Sequence, residues 1–188
     1  MLVARAAGWE TWGVEVSAWA GDFARRQHGL RVHTGMLAST GFAARSFDVV
    51  TLYDVIEHAA DPMALLAEVR HLLAPGGLVH LVTPNVAGKL ASLLGRRWYH
   101  YKPGEHLYYF APRTIKRAME CAGLQAVDCS PIGSVMTPHY VLDRLRYYAP
   151  RLADLSCAVL RMCRVAEVPL YLRVGEMQAW GRRVSAVD

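Results

Sequence analysis

Residues 47–85 read FDVVTLYDVIEHAADPMALLAEVRHLLAPGGLVHLVTPN, and the order of signals along them decides the fold. Residues 47–52 form a short, β-branched, apolar run that suits a strand buried on both faces. The polar pair Tyr53 and Asp54 falls where that strand ends. Asp61 offers a side-chain N-cap, and Pro62 takes the first position of a helix. Met63, Leu65, Leu66, Val69, Leu72 and Leu73 then recur at helical spacing. Pro75, Gly76 and Gly77 predict the stop of that helix and a turn. Residues 78–82 read as a second buried strand. Strand, helix and strand in under forty residues predict two parallel strands joined by a right-handed crossover.

Working outward, residues 1–7 look like the last turns of a helix, stopped by Gly8. Residues 11–16, TWGVEV, predict a strand closing on an acid, Glu15. Ser17 can cap a helix over residues 18–27, with Gly29 as its stop. Residues 31–34 predict a short strand and 35–46 a loop. Downstream, residues 86–94 predict a helix. RRWYHYKPGEHLYYFAPRT follows, carrying six aromatics (Trp98, Tyr99, Tyr101, Tyr108, Tyr109, Phe110) with His100 and His106. A loop this aromatic either faces a substrate as a lid or staples itself to the core. Pro112 opens a helix to Ala122, closed by Gly123. Residues 124–129 predict a strand and 131–137 a loop. Residues 139–164 read as helical, interrupted at Pro150, with Leu152, Leu155, Val159, Leu160 and Cys163 as an apolar stripe. Residues 171–173 and 176–180 read as a final hairpin-like strand region.

Composition bounds the answer. With 188 residues, 53% hydrophobic and 20% charged, the chain is long and apolar enough to bury one sizeable core. The four cysteines (121, 129, 157, 163) contain no CxxC pair, which points to reduced thiols in a cytoplasmic protein. Net charge is +5, and residues 144–183 hold eight Arg against Asp154, Glu167 and Glu176. No nucleic-acid-binding module accompanies that excess, so a nucleic-acid partner is not expected. The basic, partly apolar stretch 139–172 covers the core or, as the lesser alternative, contacts a membrane surface.

The segments FDVV, DVIEH, DP, LLAPGG and TPN, in that order, resemble the core of class I S-adenosylmethionine-dependent methyltransferases. The nearest flavour is the small-molecule type, similar to ubiquinone-biosynthesis O-methyltransferases. The resemblance covers residues 1–130 well and the remainder loosely. It implies an α/β, Rossmann-like, mostly parallel sheet with helices on both faces, S-adenosyl-L-methionine as cofactor, and methyl transfer to a small-molecule substrate. It also implies a sheet order of 3-2-1-4-5-7-6. The first strand and its Gly-rich turn find no counterpart here, so the chain reads as N-terminally truncated by roughly 40–60 residues, one βα unit and a leader. The expected organisation is one domain over 1–188: a cofactor-binding core (1–134), a helical insertion (135–169) and the last strand region (170–188).

The same resemblance assigns the site. Glu15, with Val16 beside it, stands where an acid holds the cofactor's ribose hydroxyls, and a carboxylate suits a vicinal diol. Met36 and Leu37 stand beside the adenine; a thioether there packs on the ring but accepts hydrogen bonds poorly. Tyr53 and Asp54 line the methionine and adenine portions. His106 and His58 are the candidate bases, since imidazole titrates near neutrality. No metal site is expected, because the acids and histidines show no ligand-like spacing. Two alternatives stay open. One is a nicotinamide-dependent dehydrogenase, which also uses an acid closing the second strand. The other is a non-catalytic methyltransferase-like remnant acting as an interaction module.

Overall fold

A computed structural model describes residues 1–146 and 167–184, in two compact units, Met1–Ser46 and Phe47–Asp188.

The first unit holds α1 (Leu2–Ala6), β1 (Trp12–Glu15), α2 (Ala18–His28) and β2 (Arg31–Thr34). The two strands pair in parallel, with Glu15 opposite Thr34. Ser17 Oγ accepts from the Ala20 N–H at the start of α2, and Gly29 ends it in the left-handed region at φ +58°. Arg25 ties helix to strand. Its Nη1 donates to the Val32 carbonyl at 2.7 Å and to Thr34 Oγ1 at 2.9 Å, while Nη2 pairs with Asp22. Gly21 packs so close to β2 that a Cβ would lie 2.6 Å from Thr34 Oγ1. The loop expected over 35–46 contains one 3₁₀ turn, Leu37–Ser39.

The second unit holds β3 (Phe47–Tyr53), α3 (Pro62–Leu72), β4 (Leu73–Pro84), α4 (Lys89–Leu94), α5 (Pro112–Cys121), β5 (Leu124–Met136), α6 (Pro138–Leu145) and β6 (Leu170–Arg183). Its sheet runs β3-β4-β6-β5. β3 and β4 are parallel, as the crossover requires. β6 runs against both of its neighbours, so the sheet is mixed. β3 is the edge of this sheet, and β1 and β2 form a separate ladder. Asp61 Oδ1 accepts from the Met63 and Ala64 N–H groups, both at 2.9 Å, which starts α3 where its sequence does.

Several expected boundaries move. α3 ends at Leu72, ahead of Pro75. The Pro-Gly-Gly stretch instead lies within β4, where the register to β3 slips. Gly77 is required there, because a Cβ would meet the Ala74, Asp48 and Phe47 carbonyls at 2.9–3.2 Å. The helix expected over 86–94 is only Lys89–Leu94. The loop expected at 131–137 is strand as far as Met136, because β6 supplies partners along its length. The split final strand is one strand, 170–183, that passes through Gly175 at φ +108°. Pro150 and the stripe from Leu152 to Cys163 lie outside the described residues.

The core of this unit sits on one face of the sheet. Val79, Leu81, Met177 and Ala179 are fully buried, together with Leu66 and Val69 of α3 and Ile115 and Met119 of α5. Gly181 lets the layers approach: a Cβ there would lie 3.0 Å from Val79 and 3.3 Å from Met119 Sδ. Arg183 reaches back to α3 and donates from Nη1 to the carbonyls of Arg70 (2.7 Å), His71 (3.2 Å) and Leu73 (2.7 Å). A cation on these C-terminal carbonyls also opposes the negative end of the helix dipole. No helix among the described residues is long and apolar enough to cross a membrane.

Candidate active site

The C-terminal end of β3 carries the chemistry of the second unit. After Tyr53 the chain enters the left-handed region at Asp54, φ +50°, where Asp is better tolerated than most side chains. The Asp54 N–H donates to the Val82 carbonyl at 3.0 Å. A 3₁₀ turn, Ile56–His58, follows and turns Glu57 inward. Glu57 is 1% exposed. Its Oε2 accepts from Thr83 Oγ1 at 3.0 Å, and its Oε1 is buried without a partner among the described residues. Burial pushes the Glu57 carboxyl above its ordinary range, against the pull of backbone and Thr83 hydrogen bonds. Partial burial raises Asp54 likewise, opposed by His58 and His106.

The aromatic loop closes on this turn. The Glu57 carbonyl accepts from the Leu107 and Tyr108 N–H groups at 2.9 and 3.1 Å, and Tyr108 Oη donates to the Ala60 carbonyl. His58 Nδ1 bonds the Glu105 carbonyl at 2.8 Å. A carbonyl only accepts, so Nδ1 carries a proton, and in the neutral imidazole Nε2 is the nitrogen with the lone pair. His106 is buried, 4.8 Å from His58 between ring centroids, and its Nδ1 has no partner among the described residues. Burial and the neighbouring His58 hold His106 below the usual imidazole range. His100 is driven to about 4 by burial, with His106 and Lys102 adding repulsion. Trp98 and Phe110 are buried, whereas Tyr101 and Tyr108 stay well exposed, so the loop is stapled to the core and still presents aromatic surface.

Glu57, His58 and His106 each offer one ligand atom, and the three atoms lie within 4.8 Å of one another. This corrects the expectation that acids and histidines would not cluster. Glu57 shares the EH pair with His58, and residue type alone does not mark it as a buried member of the cluster. His80 is a further buried polar residue, and its place inside LVHLV is a signal that the sequence carries.

The nucleoside-binding candidates fall in both units. In the first, Glu15 is half-buried at the C-terminal end of β1. Its Oε1 accepts from the Ser17 N–H at 2.8 Å, and its Oε2 has no bond among the described residues. That leaves acceptor capacity suited to a ribose diol. Val16 and Met36 are 69% and 67% exposed, and Leu37 is half-buried at the start of its 3₁₀ turn. In the second unit Tyr53 is 55% exposed beside Asp54.

Parallel β-α-β crossovers whose first strand is closed by an acid, Glu15 in one and Asp54 in the other, define the α/β class that takes nucleoside cofactors at the carboxyl ends of its strands. The chain belongs to the class I S-adenosylmethionine-dependent methyltransferases, whose cofactor is S-adenosyl-L-methionine: the family described as "Methyltransferase domain" matches residues 1–128. It is 37% identical over 92 residues to a ubiquinone biosynthesis O-methyltransferase of Cereibacter sphaeroides, over 46% of this chain and 37% of that protein. The chain thus matches little more than a third of that curated relative's length. A methyltransferase structure from Bacillus halodurans superposes with a TM-score of 0.66 at 14% identity, over 97% of this chain and 87% of that one. A SAM-dependent methyltransferase from Thermotoga maritima gives 0.62 at 17% identity, over 96% and 75%. The family match sets aside the dehydrogenase alternative.

Proposed function

We propose that this chain transfers a methyl group from S-adenosylmethionine to a small-molecule acceptor, with an oxygen, nitrogen or carbon as the receiving atom. The meeting of His58 and His106 at the turn that follows Tyr53 and Asp54 carries this reading. When bound, S-adenosylmethionine supplies an electrophilic methyl on a sulfonium. Glu15 holds the ribose, Met36 and Leu37 pack at the adenine, and Tyr53 and Asp54 line the remainder. Proximity and orientation then supply much of the rate. Where the acceptor must lose a proton, His58 receives it at Nε2, its other nitrogen being pinned to the Glu105 carbonyl. His106, held neutral by burial, serves as the second base or as the orienter. The similarity to ubiquinone-biosynthesis enzymes favours an aromatic hydroxyl as acceptor, and the exposed tyrosines of the loop suit an aromatic partner.

Calorimetric titration with S-adenosylhomocysteine tests the cofactor half, and saturable binding lost in Glu15→Ala is the expected result. A folded chain that binds none of it overturns the reading. For the base, His58→Ala should lower kcat by about 10²-fold or more with little change in KM for the cofactor.

A second reading has its own observation. Among the described residues Glu57 Oε1 and His106 Nδ1 are both buried and unpartnered, and the Nδ1–H of His58 on a backbone carbonyl is the support that metal-bound imidazoles use. These three residues would hold a divalent cation that fixes the acceptor oxygen. Titration with Mg²⁺ and Zn²⁺ separates the two: a saturating rise in Tm, absent in Glu57→Gln, favours the cation.

A further inference from the structure

On the face of the second unit's sheet opposite its core, four side-chain hydrogen bonds join five residues on four neighbouring strands. Tyr53 Oη lies 3.0 Å from His80 Nδ1. His80 Nε2 lies 3.2 Å from Gln178 Oε1. Gln178 Nε2 donates to Ser130 Oγ at 3.2 Å, and Ser130 Oγ donates to Asp128 Oδ2 at 2.9 Å. The far end determines the direction of the whole chain. A carboxylate only accepts, so the single Ser130 proton goes to Asp128. Ser130 must then accept from Gln178, which turns the amide nitrogen toward Ser130 and the amide oxygen toward His80. That oxygen needs a donor, so His80 carries its proton on Nε2. Nδ1 is left as an acceptor, and Tyr53 gives it the hydroxyl proton.

We infer that this relay makes Tyr53 Oη an acceptor-only group at the ligand site, so that Tyr53 selects a cationic or hydrogen-donating part of the bound molecule. His80, Gln178, Ser130 and Asp128 act as positioning residues through it. The geometry holds the relay in place. His80 is buried and lies flat on Trp180, 4.0 Å between centroids at 15°, with the Tyr53 ring edge-on at 5.3 Å. Burial lowers the His80 pKa, which keeps the ring neutral as the relay requires. Bonds that all point one way reinforce one another, and each step draws the proton away from Tyr53 and leaves its oxygen richer in electrons. The ligand half of this inference rests on the reading of Tyr53 as a cofactor contact. An ammonium is a group that such an oxygen favours, and a carboxylate is one that it rejects.

Two measurements on the intact chain separate the halves. Long-range ¹H–¹⁵N spectra of the histidine rings read the tautomer directly. The expected result is a single Nε2–H form for His80 in the wild type, with both forms populated in Asp128→Asn, whose amide can donate to Ser130. An Nδ1–H form in the wild type, or no change in Asp128→Asn, overturns the relay. Titration with S-adenosylhomocysteine, which carries an ammonium, tests the consequence. Tyr53→Phe should weaken it roughly tenfold, the worth of one hydrogen bond to a charged group. His80→Phe, which frees the hydroxyl to rotate, should weaken it a few-fold. Unchanged affinity in Tyr53→Phe overturns the selective role. No binding by the wild-type chain defeats the cofactor reading beneath it, while the tautomer result still decides the relay.

Discussion

Alternate residues of the same strands do opposite work in the second unit. Val79, Leu81, Met177 and Ala179 point into a dry layer against α3 and α5, and all four are fully buried. Between them, His80, Gln178 and Trp180 point the other way into a hydrogen-bonded and stacked row. The two-residue period of a strand thus lets one stretch of sequence hold the fold on one side and tune a site on the other. Burial alone does not separate the two, since His80 is buried as well. What separates them is whether the side chain contributes volume or direction.

Mutation should break the comparison unevenly. Leu81→Ala opens a cavity in the dry layer and should cost about 2–5 kcal/mol, read from the denaturant midpoint at unchanged slope. Thr83→Val takes away the side-chain donor that the buried Glu57 carboxyl has among the described residues. We expect a loss of about 1–3 kcal/mol. Arg183→Ala frees three carbonyls at the end of α3 and should cost about 1 kcal/mol, with Arg183→Lys restoring only part. His80→Phe keeps the stack on Trp180 and leaves Gln178 and Tyr53 within reach of water. Its cost should stay within about 1 kcal/mol although it abolishes the relay. A loss as large as that of Leu81→Ala would show that the polar row carries the fold too.

The smallest effect expected is a slope with pH. His100 titrates at about 4 folded, against 6.5 for the free side chain. Between those values the unfolded chain binds the extra proton, so stability is full above about pH 6.5 and falls as acid is added toward pH 4. His100→Phe should flatten that part of the stability curve, measured as Tm against pH.

The crossover at 47–85 was legible because each of its signals is local: Asp61 and Pro62 start a helix wherever the chain goes next. The parallel β1–β2 pair was legible for the same reason, through Ser17 and Gly29. The length of β5 was not. Pro131 and Gly133 read as loop, and only the position of β5 as the outer strand admits a proline without a lost ladder bond in the sheet interior. Gly175 divides β6 in the same way in the sequence, whereas β5 pairs with β6 on both sides of it, at 170–172 and from Glu176 onward. In the candidate site, residue type and resemblance propose His58 and His106. Their meeting with Glu57 was not legible, because a three-residue turn and a distant loop bring them together.

The order of the sheet also has a consequence for biosynthesis. β6 lies between β4 and β5, and His80 pairs across the ladder with Trp180. While the ribosome is still adding residues short of 170, β4 and β5 have no common neighbour, and Leu81 and Val79 wait on an open edge. Closure needs partners a hundred residues apart, so this unit should fold slowly and late. A nascent chain stalled before β6 should be sticky and protease-sensitive, and the arrival of Arg183 on the end of α3 should mark the moment that it is not.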